Sequence, residues 1–201
     1  MRAVLLASVL IAAPLAACSQ PEGTTATSDT SPAAAPAPAL TAQRADVGST
    51  ATAPLTNGEG GQAGTASFSQ GPQGVVIRIE ATGLTPGWHG IHLHETGTCD
   101  GPGFQSAGSH VHGGDAEVVH GLLNAQQNDF GDLPNIHADA QGRAYAEVFT
   151  TFARLADAGP GAHLLDADGS AIVIHAQPDD HNSQPIGGSG DRVACGVIAA
   201  G

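Results

Sequence analysis

Gly87-Trp88-His89-Gly90-Ile91-His92-Leu93-His94-Glu95 is the stretch on which the reading of this chain turns. From Trp88 to His94 its residues alternate with period two, the pattern of a β-strand. On a strand, residues two apart share a face, so His92 and His94 point the same way. His89, three residues before His92, points the opposite way. Paired surface histidines are common and often inert. A pair on an alternating strand, with further histidines on adjoining loops, points to a metal site.

The same period runs outward in both directions. Thr65–Ser69 ends at Gly71-Pro72, and Val75–Ala81 ends at Gly83. Arg143–Phe149, Ala171–His175 and Val193–Ile198 alternate likewise. Asn57-Gly58 is a strong tight-turn signal. Short strands with turn punctuation predict an all-β sandwich or barrel. No amphipathic helix is evident, and 28 Gly with 13 Pro argue against a helical bundle. Aromatics make up only 3%, so the core must be built from Val, Ile, Leu and Ala. Two stretches break the pattern, 96–131 and 177–192, both long, polar and Gly-rich. Loops of that length in a compact domain are usually functional. The first holds Cys99, His110, His112, His120 and Asp129; the second holds Asp179, Asp180, His181 and Arg192.

Charge narrows the chemistry. The chain has 19 Asp and Glu, 10 His and 6 basic residues, all Arg, for a formal charge of −13. Without lysine there is no P-loop cation for a phosphate and no Schiff-base amine. Six scattered arginines on an acidic chain make a poor nucleic-acid binder, because binding rests on phosphate neutralisation. All the histidines lie between 89 and 181. Clusters of neutral imidazoles favour Cu, Zn or Fe over Mg or Ca.

The N-terminus reads as an export signal over residues 1–17. Arg2 is followed by an almost wholly apolar run from Ala3 to Ala17, too short to span a bilayer comfortably. Leu15-Ala16-Ala17-Cys18 resembles the lipobox of bacterial lipoproteins, in which the cysteine is lipidated; the alternative is an ordinary secretory signal cut near Ala17. Residues 18–46 read as the lipidated Cys18 and a disordered Thr/Ser/Ala/Pro tether, with too little apolar surface to offset chain entropy. Residues 47–201 form the folded domain. Removing 1–17 takes away Arg2 and no acid, which brings the charge from −13 to −14. With Cys18 assigned to lipid, Cys99 and Cys195 remain. In an oxidising compartment an even pair reads as a disulfide, two free thiols being the alternative.

Five motifs carry a family resemblance, in family order from about residue 50 to the C-terminus. Gly87–Glu95 resembles the first signature of the copper/zinc superoxide dismutase family. Ser106-Ala107-Gly108-Ser109-His110 resembles its bridging-ligand segment, and Gly131-Asp132-Leu133-Pro134-Asn135 its GDLPN segment. Val173–Asp180 resembles the last copper ligand with the acidic pair that follows, and Gly188–Ile198 the second signature.

The resemblance implies an eight-stranded Greek-key β-barrel with two long functional loops. It implies copper held by His92, His94, His110 and His175, with His110 bridging to a zinc that also uses His120 and Asp132. It implies a Cys99–Cys195 disulfide beside Arg192, and Asp179 linking the two sites through His92 and His120. One position departs: where the family has a zinc-ligating histidine, three residues before Asp132, this chain has Asp129. Carboxylates do ligate zinc. We therefore expect a His110–His120–Asp129–Asp132 site; His112 or His137 as substitutes, or a weak zinc site, are the alternatives.

The reaction implied is dismutation of superoxide to dioxygen and hydrogen peroxide, protecting the cell envelope. Electrons would pass through a redox-cycling copper, with His110 taking up and returning a proton and Arg192 drawing in the anion. Two other functions share the resemblance: an envelope copper store, and a copper-only dismutase with a degraded zinc site. Ser19 after Cys18 favours an outer-membrane anchor facing the periplasm. The family occurs as monomers and dimers, and no interface is legible. His89 is expected to be structural. His112, His137, His163 and His181 are expected to be bystanders, and Asp115, Asp139, Asp166 and Asp168 turn formers.

Overall fold

The computed structural model describes residues 48–114 and 117–201. The expected signal, Cys18, the tether and Asp115 lie outside the described residues.

The chain forms β1 (Thr50–Asn57), β2 (Gln62–Gly71), β3 (Gly74–Ala81), β4 (Gly87–His89), β5 (Ile91–His94), β6 (Ile136–Ala138) and β7 (Ala144–Thr150). The short pieces β8 (Ala153–Arg154) and β9 (Ala162–His163) follow, then β10 (Ala171–His175), β11 (Arg192–Val197) and β12 (Ala199–Ala200). A 3₁₀ turn, Gln105–Ala107, is the only helical segment among the described residues.

The main sheet runs β5-β10-β11-β1-β2-β3-β7, with β12 added to β1. The β3–β7 and β1–β11 neighbours are far apart in sequence, as Greek-key crossovers require. A second pairing, β4 with β6, sits where Gly90 separates β4 from β5. The turn at Asp139, whose N–H meets the Arg143 carbonyl at 2.8 Å, carries β6 into β7. The sheet thus curls back on itself as an all-β barrel.

Alternation decides what fills it. Ala51, Ala53 and Leu55 of β1, Ala66 and Phe68 of β2, and Val75, Ile77 and Ile79 of β3 point inward and are buried. Ile172 and Ile174 of β10 join the same core. Ala171 and Val173, on the other face of β10, pack instead with Phe104, Ala107 and Cys195 under the first long loop.

The stretch 87–95 departs from its expected form in two ways. It is two strands rather than one, because the backbone of Gly90 is engaged elsewhere: its N–H meets the Gln177 carbonyl and its carbonyl the His175 N–H, each at 2.8 Å. In addition, all four residues of β5 are buried. Ile91 and Leu93 face the barrel core, whereas His92 and His94 face outward under the long loops. The Asn57-Gly58 turn is also longer than a two-residue hairpin. Asn57 Oδ1 accepts the N–H groups of Glu59 and Gly61, at 3.1 and 2.8 Å, which organises a four-residue loop.

Cys99 and Cys195 are disulfide-bonded, with Cα atoms 5.7 Å apart. The bond ties the first loop to β11 across a sequence separation of 96. On the chain-entropy account, closing a loop of that size stabilises the fold by about 4–5 kcal/mol.

Candidate metal centre

Strand pairing brings the first three histidines together. β5 and β10 are antiparallel neighbours, with Val173 opposite His92 and Ala171 opposite His94. His175 closes β10, and His110 joins through an isolated bridge to His94. The His92 and His110 rings have centroids 4.0 Å apart. Ligand atoms of His92, His94, His110 and His175 all lie within 4.8 Å of one another, and all four residues are buried.

One nitrogen of each ring has a partner. His92 Nε2 lies 2.7 Å from Asp179 Oδ2, and His94 Nδ1 3.0 Å from the Gly108 carbonyl. His175 Nδ1 lies 3.1 Å from the Gly190 carbonyl, and His110 Nδ1 2.7 Å from Asp129 Oδ2. The other nitrogens, His92 Nδ1, His94 Nε2, His110 Nε2 and His175 Nε2, are buried with no hydrogen-bond partner. Leaving such an atom unsatisfied costs about 1–3 kcal/mol. Four of them at one place are the mark of a ligand set, with the partnered nitrogens fixing each ring's tautomer.

Burial keeps this set in its ligating form. It pushes His94 down to about 2, assisted by the positive charges of His110 and Arg192. His175 falls to about 3, and His92 to about 4 although the hydrogen bond to Asp179 opposes the shift. All three are neutral at pH 7, with lone pairs free.

The far side of His110 differs in character. Asp129 Oδ2 lies 2.7 Å from His110 Nδ1 and 3.3 Å from His120 Nδ1. Asp132 Oδ1 lies 3.5 and 2.6 Å from the same two nitrogens. Asp132 Oδ1 has no aligned hydrogen-bond partner, so its close contact with His120 Nδ1 is an ion pair rather than a well-directed hydrogen bond. Burial alone would lower His110 and His120. The carboxylates of Asp129 and Asp132 outweigh it and raise both, His120 to about 11. The same contacts hold Asp129 and Asp132 below the usual carboxylate range against their own burial. Ligand atoms of His92, His110, His120 and Asp132 lie within 4.8 Å of one another here, with Asp129 against His110 and His120, and this buried mix of imidazole and carboxylate makes a nest for a cation. That donor set suits zinc.

Asp179 joins the two sets. Its Oδ2 meets His92 Nε2 at 2.7 Å and its Oδ1 meets His120 Nε2 at 3.1 Å. Gly187 leaves room for it: φ is +58° there, and a Cβ would stand 1.7 Å from Asp179 Oδ1.

Beside His175 lies an open cleft of about 590 Å³, lined in part by Gly58, Pro102, Gln105, Asp191 and Arg192. Arg192 Nη1 donates to the Phe104 carbonyl and Nη2 to the Gly108 carbonyl, each at 2.7 Å. It forms no ion pair with Asp191 or any other carboxylate among the described residues.

Residues 62–198 match the copper/zinc superoxide dismutase (SODC) family. The chain belongs to that family. It is 56% identical to the Cu-Zn superoxide dismutase of Caulobacter vibrioides, over 74% of this chain and 84% of that protein. It is 40% identical to Cu-Zn superoxide dismutase 1 of Aquifex aeolicus, over 73% and 85%. A double mutant of a SOD-like protein from Bacillus subtilis superposes with a TM-score of 0.68 at 36% identity, covering 73% of this chain and 95% of that one. The Cu/Zn superoxide dismutase of Brucella abortus superposes with a TM-score of 0.61 at 26% identity, over 75% and 99%.

Asp129 lies against the rings of His110 and His120, whereas His112 and His137 lie apart from them. His112 is exposed, with Nδ1 2.7 Å from the Gly114 carbonyl. His137 is exposed on β6, 5.0 Å from the Trp88 ring. His163 lies by the Leu155 carbonyl at 3.2 Å. His89 is buried and structural: its ring nitrogens meet the carbonyls of His175 and Thr85 at 2.6 and 2.7 Å. Two site residues were not singled out from sequence. Asn135 clamps the backbone of Asp179, donating to its carbonyl at 2.8 Å and accepting its N–H at 2.9 Å. Gln184 does the same to His120. Only the GDLPN motif hinted at the first, and no spacing signals the second.

Proposed function

We propose that this chain dismutes superoxide to dioxygen and hydrogen peroxide, with copper held by His92, His94, His110 and His175 and zinc by His110, His120, Asp129 and Asp132. The observation that carries this reading is the four unpartnered, buried imidazole nitrogens, with the second nitrogen of His110 turned to two carboxylates. Copper supplies the one-electron redox change, and zinc, which has none, supplies a fixed positive charge. The protein's residues do the rest. His110 spans both sets and is placed to hold and release a proton at Nε2. Asp179 orients His92 and His120 together. Arg192, held by two carbonyls, presents positive charge to the cleft through which a small anion enters. A copper store needs no such cleft with a charged guanidinium.

The test is metal content together with superoxide consumption, for the wild type and for Asp129→His. One copper and one zinc per chain with activity is the expected result for both. Full activity with copper and no zinc in the wild type, restored to one zinc by Asp129→His, would replace this reading with that of a copper-only dismutase.

We further propose that the chain works in the cell envelope, lipid-anchored through Cys18 and held at the outer membrane by its tether. The export-like N-terminus and the Cys99–Cys195 disulfide support a compartment outside the reducing cytoplasm. Cys18→Ser is expected to move the protein from the membrane fraction to the soluble periplasmic fraction. Unchanged partitioning would overturn the anchor.

A further inference from the structure

The side chain of Gln184 reaches from the second long loop to the backbone of His120 in the first. Oε1 accepts the His120 N–H and Nε2 donates to the His120 carbonyl, both at 2.9 Å. The remaining Nε2 proton goes to the Asn182 carbonyl at 3.1 Å. Both amide groups of Gln184 are thereby engaged, and one residue bonds the peptide groups on both sides of His120; the carbonyl also accepts the Asn124 amide, at the longer distance of 3.4 Å. Gln184 makes no hydrogen bond to the four histidines assigned to copper.

The surroundings make this clamp the hinge between the loops. His181 accepts the N–H of Leu123 on its carbonyl at 3.0 Å. Gly121 passes so close to that carbonyl, with φ at +113°, that a Cβ would stand 2.3 Å from it. The Gly121 N–H in turn donates to Asp132 Oδ2 at 2.6 Å. Residues 121–123 therefore lie against the main chain of His181, and the Gln184 side chain extends that contact to His120. The ring of His120 is aimed by its own main chain, and that main chain is aimed by Gln184.

We infer that Gln184 is a positioning residue for the zinc set, acting on His120 through its backbone, and that it sets zinc affinity without setting copper affinity. The inference rests on the zinc assignment made above. Its chemistry is that of outer-shell hydrogen bonds, whose loss typically lowers metal affinity about 10–100-fold. Asp179 and Asp132 hold the His120 side chain from other directions. Asp132 also holds the peptide on the C-terminal side through the Gly121 N–H, but neither carboxylate reaches the His120 N–H, which Gln184 alone engages.

The experiment measures zinc and copper affinity separately, by chelator competition on the full-length, disulfide-intact protein. It uses Gln184→Ala and the near-isosteric Gln184→Met, which keeps the volume and removes both hydrogen bonds. A fall in zinc affinity of about 10–100-fold in both variants, with copper affinity retained, is the expected result. Cobalt in place of zinc gives a second readout, since a displaced His120 alters its visible absorption. Wild-type zinc affinity in Gln184→Met would overturn the inference, and so would equal loss of both metals, which would mark a general structural role. His120→Ala separates this from the zinc assignment itself. If that change leaves zinc uptake untouched, the assignment fails and the clamp fails with it; if it removes zinc while the Gln184 variants do not, only the clamp fails.

Discussion

His110→Ala is expected to cost more than about 100-fold in affinity for each metal and to leave superoxide decay near the uncatalysed rate. The argument is geometric. His110 Nε2 is one of the four unpartnered nitrogens, and His110 Nδ1 lies 2.7 Å from Asp129 and 3.5 Å from Asp132. One substitution therefore removes a donor from both sets, whereas outer-shell losses alone cost about 10–100-fold. It also leaves the two carboxylates with His120 as their only imidazole. His175→Ala is the control, because it takes a nitrogen from the copper set alone and should leave zinc binding intact. Neither change touches the barrel core, which lies on the other face of β5 and β10. Metal content after equilibration against buffered copper and zinc decides the matter. Wild-type zinc affinity in His110→Ala would show that Nδ1 is not a zinc ligand and would break the bridge.

The parts of this molecule legible in its sequence are those in which each residue carries its own signal. Val75–Ala81 and Ala171–His175 read as strands because β-branched residues alternate or run together there. β1 reads faintly, since two of its three inward side chains are alanines, and Ala51 and Ala53 give the period little contrast. The break at Gly90 was not legible, because its cause is hydrogen bonding to residues 175 and 177, more than eighty positions away. The complete burial of β5 was hidden for a similar reason: a loop, not a sheet, covers its second face. The histidines of the site could be named because His92-x-His94 has a strand spacing and His110 and His175 stand in recognisable motifs. What spacing could not supply was the register that sets Val173 against His92. Asp129 could be named only as a departure from the family pattern, and its distances to His110 and His120 come from the fold alone. Gln184 acts on a main chain, and main-chain contacts leave no mark in residue type.

Arg192→Ala is expected to lower kcat/KM for superoxide about tenfold at matched copper occupancy, within the 10–10³-fold range of electrostatic steering. The chain is unusual for an enzyme that takes an anion, with a formal charge of −13 and no lysine. Among the described arginines, Arg78 pairs with Glu147 and Arg143 with Asp139, while Arg154 bonds the carbonyls of Ala156 and Gly161. Arg192 alone lines the cleft beside His175, with Asp191 next to it. Near the site, attraction comes from Arg192 and bound metal; at long range the carboxylates repel. The two fields respond differently to salt. At about 0.01 M the Debye length is roughly 30 Å, so the whole negative surface acts on the approaching anion; at about 0.1 M it is roughly 10 Å and most of that repulsion is gone. The guanidinium is half-buried and acts at close range, so it loses less. The wild-type rate should therefore rise with ionic strength across this interval, and the rise should persist in Arg192→Ala at a lower level. Arg192→Lys separates charge from placement, because an ammonium on a flexible stem lacks the planar fork that holds the Phe104 and Gly108 carbonyls together. It should recover part of the rate and not all of it. Pulse-radiolysis decay of superoxide over a salt series reads all three proteins. An Arg192→Ala rate equal to wild type would remove Arg192 from the mechanism, and a wild-type rate that falls steadily with salt would show that local attraction, not the charge of the whole chain, governs approach.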